Sequence, residues 1–265
     1  MTDADPPEAE ADGAYDGLAD VYDWLVPEAL LTPEGTVAAF AGVVESLPPG
    51  GRILDCACGI GQLAVGLALR GFDVVASDAS PAMVQRTVQV AADHGVEMPA
   101  ITCAWEELTP ECVGGPFDAI FCVGNSLTHA PGRDARRAAL AGMGSVLHPG
   151  GLLVLTSRNW ERQRGRGSGL EIADELIQRH GRPGLVVYSW TIPESWDDPH
   201  FLDVAVALID PSGKVTTTAE RLSFWPFTHT ALDEDLRQTG FTPETSTYTP
   251  DVDRYLTTAR RSPAL

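Results

Sequence analysis

The run Asp55-Cys56-Ala57-Cys58-Gly59-Ile60-Gly61 carries the sharpest chemical signal in the chain. It closes a short apolar stretch from Arg52 and precedes a helical pattern from Gln62 to Arg70. Gly59 and Gly61 let the backbone approach a ligand closely, and the start of the following helix offers free N–H groups. Gly59 to Ala64 also reads as G-x-G-x-x-A, the form of a dinucleotide loop, and such a pattern alone is weak. Asp55 weighs against a pyrophosphate, because a carboxylate there repels it. Asp78 ends the next apolar run, where it can accept both hydroxyls of a ribose, a role that NAD would ask of it too. Trp105-Glu106 follows a third run and offers an aromatic face and an acid suited to an adenine ring and its exocyclic amine. Each residue also has a plainer reading: Asp55 as a helix-capping acid, Asp78 as the N-cap acid of a turn, Trp105 as a core aromatic.

The elements that must position these residues follow from periodicity. Met1 to Ala14 is acidic, rich in Ala and Pro, and reads as a disordered tail. Residues 15–50 read as an N-terminal helical lid, with Leu18, Val21, Tyr22 and Leu25 at helical spacing and a second helix from Pro33 through Leu47. Residues 51–161 alternate apolar strands with helices: strands at 52–57, 73–77, 100–104, 117–123 and 152–156, helices at 62–70, 81–94 and 133–147, the last stopped by His148-Pro149-Gly150-Gly151. Apolar strands alternating with helices predict an α/β Rossmann-like sheet, seven-stranded and mostly parallel, with helices on both faces and ligands at the carboxyl ends of the strands. Residues 162–224 read as an antiparallel insertion over the active site, with strands at 185–192, 202–209 and 215–224 and a basic, Gly-rich mobile loop from Arg162 to Gly169. Residues 225–265 supply a helix at 232–239 and a last strand from Phe241.

Length and composition bound the function. A chain of 265 residues, 44% hydrophobic, suits one α/β domain with a small insertion. The net charge of −19 argues against nucleic acid or membrane partners and for a small molecule. Lys214 is the single lysine, which fits either a salt-rich cytoplasm or an arginine-favouring genome. The five cysteines have no disulfide or zinc spacing and read as buried small hydrophobes in a reducing compartment; no metal ligand set is assigned. With no signal-like start and no run of about 20 apolar residues, a cytoplasmic location is expected.

At these residues the chain resembles the class I S-adenosylmethionine-dependent methyltransferases. Ala57 stands where glycine is usual, and the string D-x-A-C-G-x-G resembles the branch that contains glycine N-methyltransferase. Three further strings resemble that branch: Ala104-Trp105, with alanine replacing an asparagine; Gly124-Asn125-Ser126-Leu127-Thr128-His129; and Ser157-Arg158-Asn159-Trp160. The resemblance implies S-adenosylmethionine as cofactor, S-adenosylhomocysteine as product and a small-molecule acceptor, with a homo-oligomer left open. It implies that Asp55 holds the methionine ammonium, directly or through water. The implied cofactor contacts also include Ala57, Gly59, Gly61, Asp78, Ala79, Met83, Trp105, Glu106, Cys122 and Val123. It further implies that Arg158 clamps an acceptor carboxylate, since guanidinium binds both oxygens, and that Asn125 orients the acceptor nitrogen. His129 is a further acceptor-site candidate. Tyr15 to Asp23 resembles a lid in which a tyrosine, Tyr22 first and Tyr15 second, closes over the methionine end.

Against these stand a surface salt bridge for Arg158, a turn role for Asn125, a helix-start role for His129 and core packing for both tyrosines. Beyond Arg162 the resemblance thins, and Tyr188, Trp190, Trp196, Trp225 and Phe227 are acceptor-pocket candidates that core packing would equally explain. The expected activity is methyl transfer to an amine such as glycine, sarcosine or dimethylglycine. The rivals are N- or O-methylation of a secondary metabolite, an NAD-dependent oxidoreductase, and a non-catalytic protein that binds the same cofactor.

Overall fold

The apolar runs of residues 51–161 form parallel strands, and the structure, a computed structural model described over residues 15–263, places them in one sheet. The strands are β1 (Arg52–Asp55), β2 (Asp73–Asp78), β3 (Ala100–Thr102), β4 (Phe117–Cys122) and β5 (Leu147–Arg158). Near the end of the chain, β11 (Phe241–Ser246) and β12 (Arg254–Arg261) complete it after the five strands β6–β10 described below. The seven-stranded order is β11-β12-β5-β4-β1-β2-β3, parallel except where β12 runs antiparallel to both neighbours. Ile53, Leu54, Ala119, Ile120 and Leu153 are wholly buried because helices cover both faces. One face packs α3 (Gln62–Leu69) and the short α1 (Pro33–Ala38) and α2 (Ala41–Val44) through Val37, Leu63 and Leu67. The other packs α6 (Gly132–Ser145) and α8 (His229–Gln238) through Leu140, Met143, Leu232 and Leu236. Asp235, fully buried, ties α8 to α6 through ion pairs with Arg133, Arg136 and Arg137 at 2.7–2.9 Å. The remaining helices are α4 (Pro81–Asp93), α5 (Pro110–Val113) and α7 (Trp160–Arg166).

A second sheet, β10-β9-β8-β6, is antiparallel and comprises β6 (Gly169–Ile172), β8 (Arg182–Thr191), β9 (His200–Ile209) and β10 (Val215–Phe224), with β7 (Ile177–Arg179) paired to β8. The alternating burial of β9 turns Leu202, Val204, Val206 and Leu208 onto Leu18, Val21 and Trp24 of the N-terminal segment.

Several expectations need correcting. The segment after Tyr15 is a 3-10 helix, Asp16–Trp24, rather than an α-helix. The helix expected from Pro33 to Leu47 breaks into α1 and α2 around Ala39 and Phe40. His148-Pro149-Gly150-Gly151 does not follow the helix as a plain stop: the helix ends at Ser145 and these residues already belong to β5. The stretch read as a mobile loop from Arg162 is mostly helix α7, capped by Asn159, whose side chain accepts from the Arg162 N–H. The single final strand is two, β11 and β12. The acidic tail falls outside the described residues. Among those described, all five cysteines are free, with Cys56, Cys58, Cys103 and Cys122 buried, and no helix is long and apolar enough to cross a membrane.

Candidate active site

Strands β5, β4, β1 and β2 lie side by side, so the residues past their carboxyl ends share one rim, with the reversal of strand order falling between β4 and β1. Asp55 is the last residue of β1 and is 1% exposed. Neither of its carboxylate oxygens has a well-formed hydrogen bond, the Ala64 N–H making only a weak approach. Burial, and then the nearby charge of Asp78, push its carboxyl up to about 8, with the Ala64 N–H pulling the other way. A buried carboxylate without a well-formed hydrogen bond is costly, and a ligand cation is what would satisfy it.

The loop after Asp55 is held from two sides. The Gly59 N–H donates to Asp78 Oδ2 at 2.9 Å, and the Ser80 N–H donates to Asp78 Oδ1 at 3.0 Å. Burial raises the Asp78 carboxyl despite these bonds. The Thr87 hydroxyl donates to the Gly59 carbonyl at 2.9 Å. Gly61 sits at φ +82°, and a Cβ there would lie 2.9 Å from the Thr87 Cα. Gly61→Ala is therefore expected to destabilise the fold by about 2 kcal/mol or more, from left-handed strain plus a clash with helix backbone. Urea denaturation of the two proteins checks this, and equal midpoints would refute it.

A cleft opens beside this loop. Of the expected residues, Tyr15, Ala57, Asp78, Ala79, Trp105, Glu106 and His129 line it. The Trp105 indole N–H donates to the Cys56 carbonyl at 2.9 Å, which fixes the ring at the cleft wall. Cys56, Ala104 and Ser126, which stand inside the quoted strings, and Ser80, Cys103, Ala130 and Pro131, which carry no motif signal, also line it without having been assigned a role. Asp55, Gly59, Gly61, Met83, Tyr22, Asn125 and Arg158 lie outside the lining. Tyr22 and the buried Met83 instead belong to a small cluster with Ala19 and Ile60 that packs the N-terminal segment onto the loop. Cys122 is wholly buried in the core and Val123 packs partly buried on its other side, so neither reaches the cleft wall.

The N-terminal segment is fastened over the cleft. Asp23 pairs with Arg86 at 3.0 Å, and the Ser80 hydroxyl donates to Asp16. Tyr15 and Tyr22 meet edge-on at 5.9 Å between ring centres, and burial raises both hydroxyls above the ordinary phenol range. His129 Nδ1–H donates to the Ser223 carbonyl at 2.8 Å, so its Nε2 lone pair accepts from the Tyr15 hydroxyl at 2.9 Å. Burial pushes this imidazole down to about 4, which leaves it neutral at neutral pH.

Asn125, in the left-handed region at φ +74°, makes the turn after β4. Its Nδ2 donates to Thr128 Oγ1 at 2.9 Å, and its Oδ1 accepts from the Arg158 N–H at 2.9 Å and the Trp160 indole N–H at 3.2 Å. The side chain thus knits the end of β4 to the end of β5. Arg158 ends β5 half-buried, with Nη1 donating to Gln163 Oε1 at 3.0 Å and its guanidinium 5.0 Å from the Trp190 ring centre. Burial, then Arg254, hold it at about 10, below the usual guanidinium range. It forms no ion pair among the described residues. Arg254, at the start of β12, was missed by the sequence reading because it belongs to no motif. Of the aromatic candidates, Trp190 packs with Trp160 and Phe224 beneath Arg158, and Tyr188 is half-buried beside it. Trp196 lies under Arg164, and Phe227 packs against Arg136 in the core under α6.

A sheet of this order, with helices on both faces, an acid at the end of β1, a second at the end of β2 and a cleft at that rim, is a Rossmann-like α/β fold. Residues 53–151 match the family described as a methyltransferase domain. Nearly the whole chain has the fold of S-adenosylmethionine-dependent methyltransferases: the enzyme of that description from Clostridium acetobutylicum superposes with a TM-score of 0.76 at 15% identity, covering 94% of this chain and 99% of that one. An amino pentose methyltransferase from Micromonospora echinaspora, solved with S-adenosylmethionine bound, gives 0.71 at 23% identity, covering 91% and 97%. In sequence, the chain is 34% identical over 156 residues to a glycine/sarcosine N-methyltransferase of Halorhodospira halochloris, which is 58% of this chain and 55% of that protein. The chain spans about half the length of the curated relatives it matches.

Proposed function

We propose that the chain is an S-adenosylmethionine-dependent methyltransferase acting on the amine nitrogen of a small carboxylate-bearing acceptor such as glycine, sarcosine or dimethylglycine. The observation that carries the reading is the half-buried Arg158 guanidinium at the carboxyl end of β5, which forms no ion pair among the described residues. The relatives named as glycine and sarcosine N-methyltransferases support the same class of acceptor.

The residues present fit the cofactor. Asp55, buried and without a side-chain partner, suits an ammonium; Asp78, held by backbone amides, suits a ribose; Trp105 and Glu106 suit an adenine. The cofactor supplies an electrophilic methyl group on sulfonium sulfur. The protein then needs chiefly to align the acceptor and exclude water. Tyr15 and Tyr22 serve the second need, and Arg158 the first. Asn125 positions Arg158 by accepting its backbone N–H. His129 is a poor general base, because its one lone pair accepts from Tyr15 and burial holds it neutral. That disfavours an alcohol acceptor, which needs a base, and suits an amine, which needs only to shed its own proton before attack.

The test is an acceptor panel read by release of S-adenosylhomocysteine, spanning amino acids, the matching decarboxylated amines, amino sugars and hydroxylated compounds. Turnover of amino acids over decarboxylated amines by about tenfold or more is expected, since the missing carboxylate leaves a buried charge unpaired. Turnover confined to acceptors without a carboxylate would overturn the reading.

A further inference from the structure

In the antiparallel pairing of β5 with β12, Arg158 and Arg254 are direct cross-strand partners. Like charges directly opposed across such a pair are destabilising. Arg254 is exposed, so water screens part of this repulsion, and the half-buried Arg158 bears the rest. Neither guanidinium forms an ion pair among the described residues. The acids acting on Arg158 are Glu171, on the exposed strand β6, and Asp253, which Arg162 and Arg166 already share at 2.9 and 2.6 Å. Four guanidiniums thus meet two carboxylates at this corner, in a chain whose net charge is −19.

The pair also stands in the right place. Both residues lie at the end of the sheet where Asp55 ends β1. The charge of Arg254 acts on Tyr15 and Tyr22 over the cofactor cleft and on Tyr188 of the second sheet, and Arg158 acts on Tyr188 as well. The Arg158 guanidinium also reaches the second sheet, 5.0 Å from the Trp190 ring centre, so the pair stands on the side of the antiparallel sheet, beyond the lining of the cleft.

We propose that Arg158 and Arg254 together form the anion-binding pole of the acceptor pocket, and that it favours an amine bearing two negative charges over one bearing a single carboxylate. The shared chemistry is a dianion, either two carboxylates or a phosphate. This rests on the reading of the Arg158 end of the sheet as the acceptor side, and it makes Arg254 a specificity-determining residue. A single carboxylate neutralises one guanidinium and leaves the other opposed to it; a dianion neutralises both.

The experiment uses protein saturated with S-adenosylhomocysteine, titrated calorimetrically with acetate, malonate and inorganic phosphate, so no turnover is needed. Malonate or phosphate is expected to bind at least tenfold tighter than acetate; preference for malonate identifies a dicarboxylate acceptor, preference for phosphate a phosphorylated one. Arg254→Gln should erase that preference, Arg254→Lys should keep most of it, and ligand-free Arg254→Gln should melt no lower than the parent, because a repulsion has been removed. Three results would overturn the proposal: equal affinity for all three anions, an unchanged preference in Arg254→Gln, or a marked fall in its melting temperature, which would make Arg254 a structural residue. An intact dianion preference with no amine turned over would instead count against the amino-acid reading and leave the anion pole standing.

Discussion

Replacing Asp55 by asparagine is expected to stabilise the ligand-free protein while weakening binding of S-adenosylhomocysteine by about 100-fold or more, the cost of losing a charge-assisted pair in a buried site. The carboxyl is buried, has no side-chain partner, and titrates at about 8 in the fold against 3.8 when unperturbed. Between those values the folded chain holds a proton that the unfolded chain has released. Stability is therefore highest, as far as this group is concerned, below the lower value and falls as pH rises toward about 8. The loss is on the order of 5 kcal/mol. Asparagine cannot ionise, so the variant should lack that slope. Chemical denaturation of both ligand-free proteins between pH 5 and 8 tests the point; parallel curves would refute it. A ligand ammonium should return Asp55 to its charged form, so binding at pH 7 should release protons, detectable as a dependence of the calorimetric heat on the ionisation enthalpy of the buffer.

Replacing Arg158 by glutamine should lower kcat/KM for carboxylate-bearing acceptors by about 100-fold, roughly 3 kcal/mol, and leave decarboxylated amines almost untouched. The contrast follows from what the guanidinium lacks. It has a neutral partner in Gln163 and an aromatic face in Trp190, but no ion pair. Because burial and Arg254 both work against its charge, the ligand-free variant should be at least as stable as the parent. An equal loss across both acceptor classes would show that Arg158 shapes the site without binding the carboxylate, and unchanged kinetics would remove it from the site altogether. Affinity for S-adenosylhomocysteine, measured alongside, separates the acceptor side from the cofactor side.

Asp55 and Asp78 were legible because each ends an apolar run, and in a parallel sheet the end of a strand is where a ligand site forms. Ser80 and Cys103 were not, because they line the cleft only through the way α4 and β3 pack beside it. Helix α7 was misread as a loop from its arginines and glycines. What holds it are distant partners: Asp253 for Arg162 and Arg166, and the Trp196 ring for Arg164. Tyr22 was placed ahead of Tyr15 as the lid residue, yet Tyr15 is the one that lines the cleft and bonds His129. The segment from Asp16 to Trp24 is a 3-10 helix, whose three-residue turn rotates side chains away from the positions an α-helical spacing implies.

By itself, then, the sequence determined the layered α/β sheet and the glycine-rich loop after β1, because both depend on short-range regularities: apolar runs, Gly59 and Gly61 in a turn, acids at strand ends. Tertiary structure alone decided the charges. Asp55 is left without a side-chain partner only once the sheet is covered, and burial between β10 and the N-terminal segment is what lowers His129, against the pull of the Ser223 carbonyl. Arg254, 96 residues beyond Arg158, met it only through the register of β12 on β5. Burial and electrostatic coupling depend on distance in space, and a linear pattern does not hold that distance until the strands have paired.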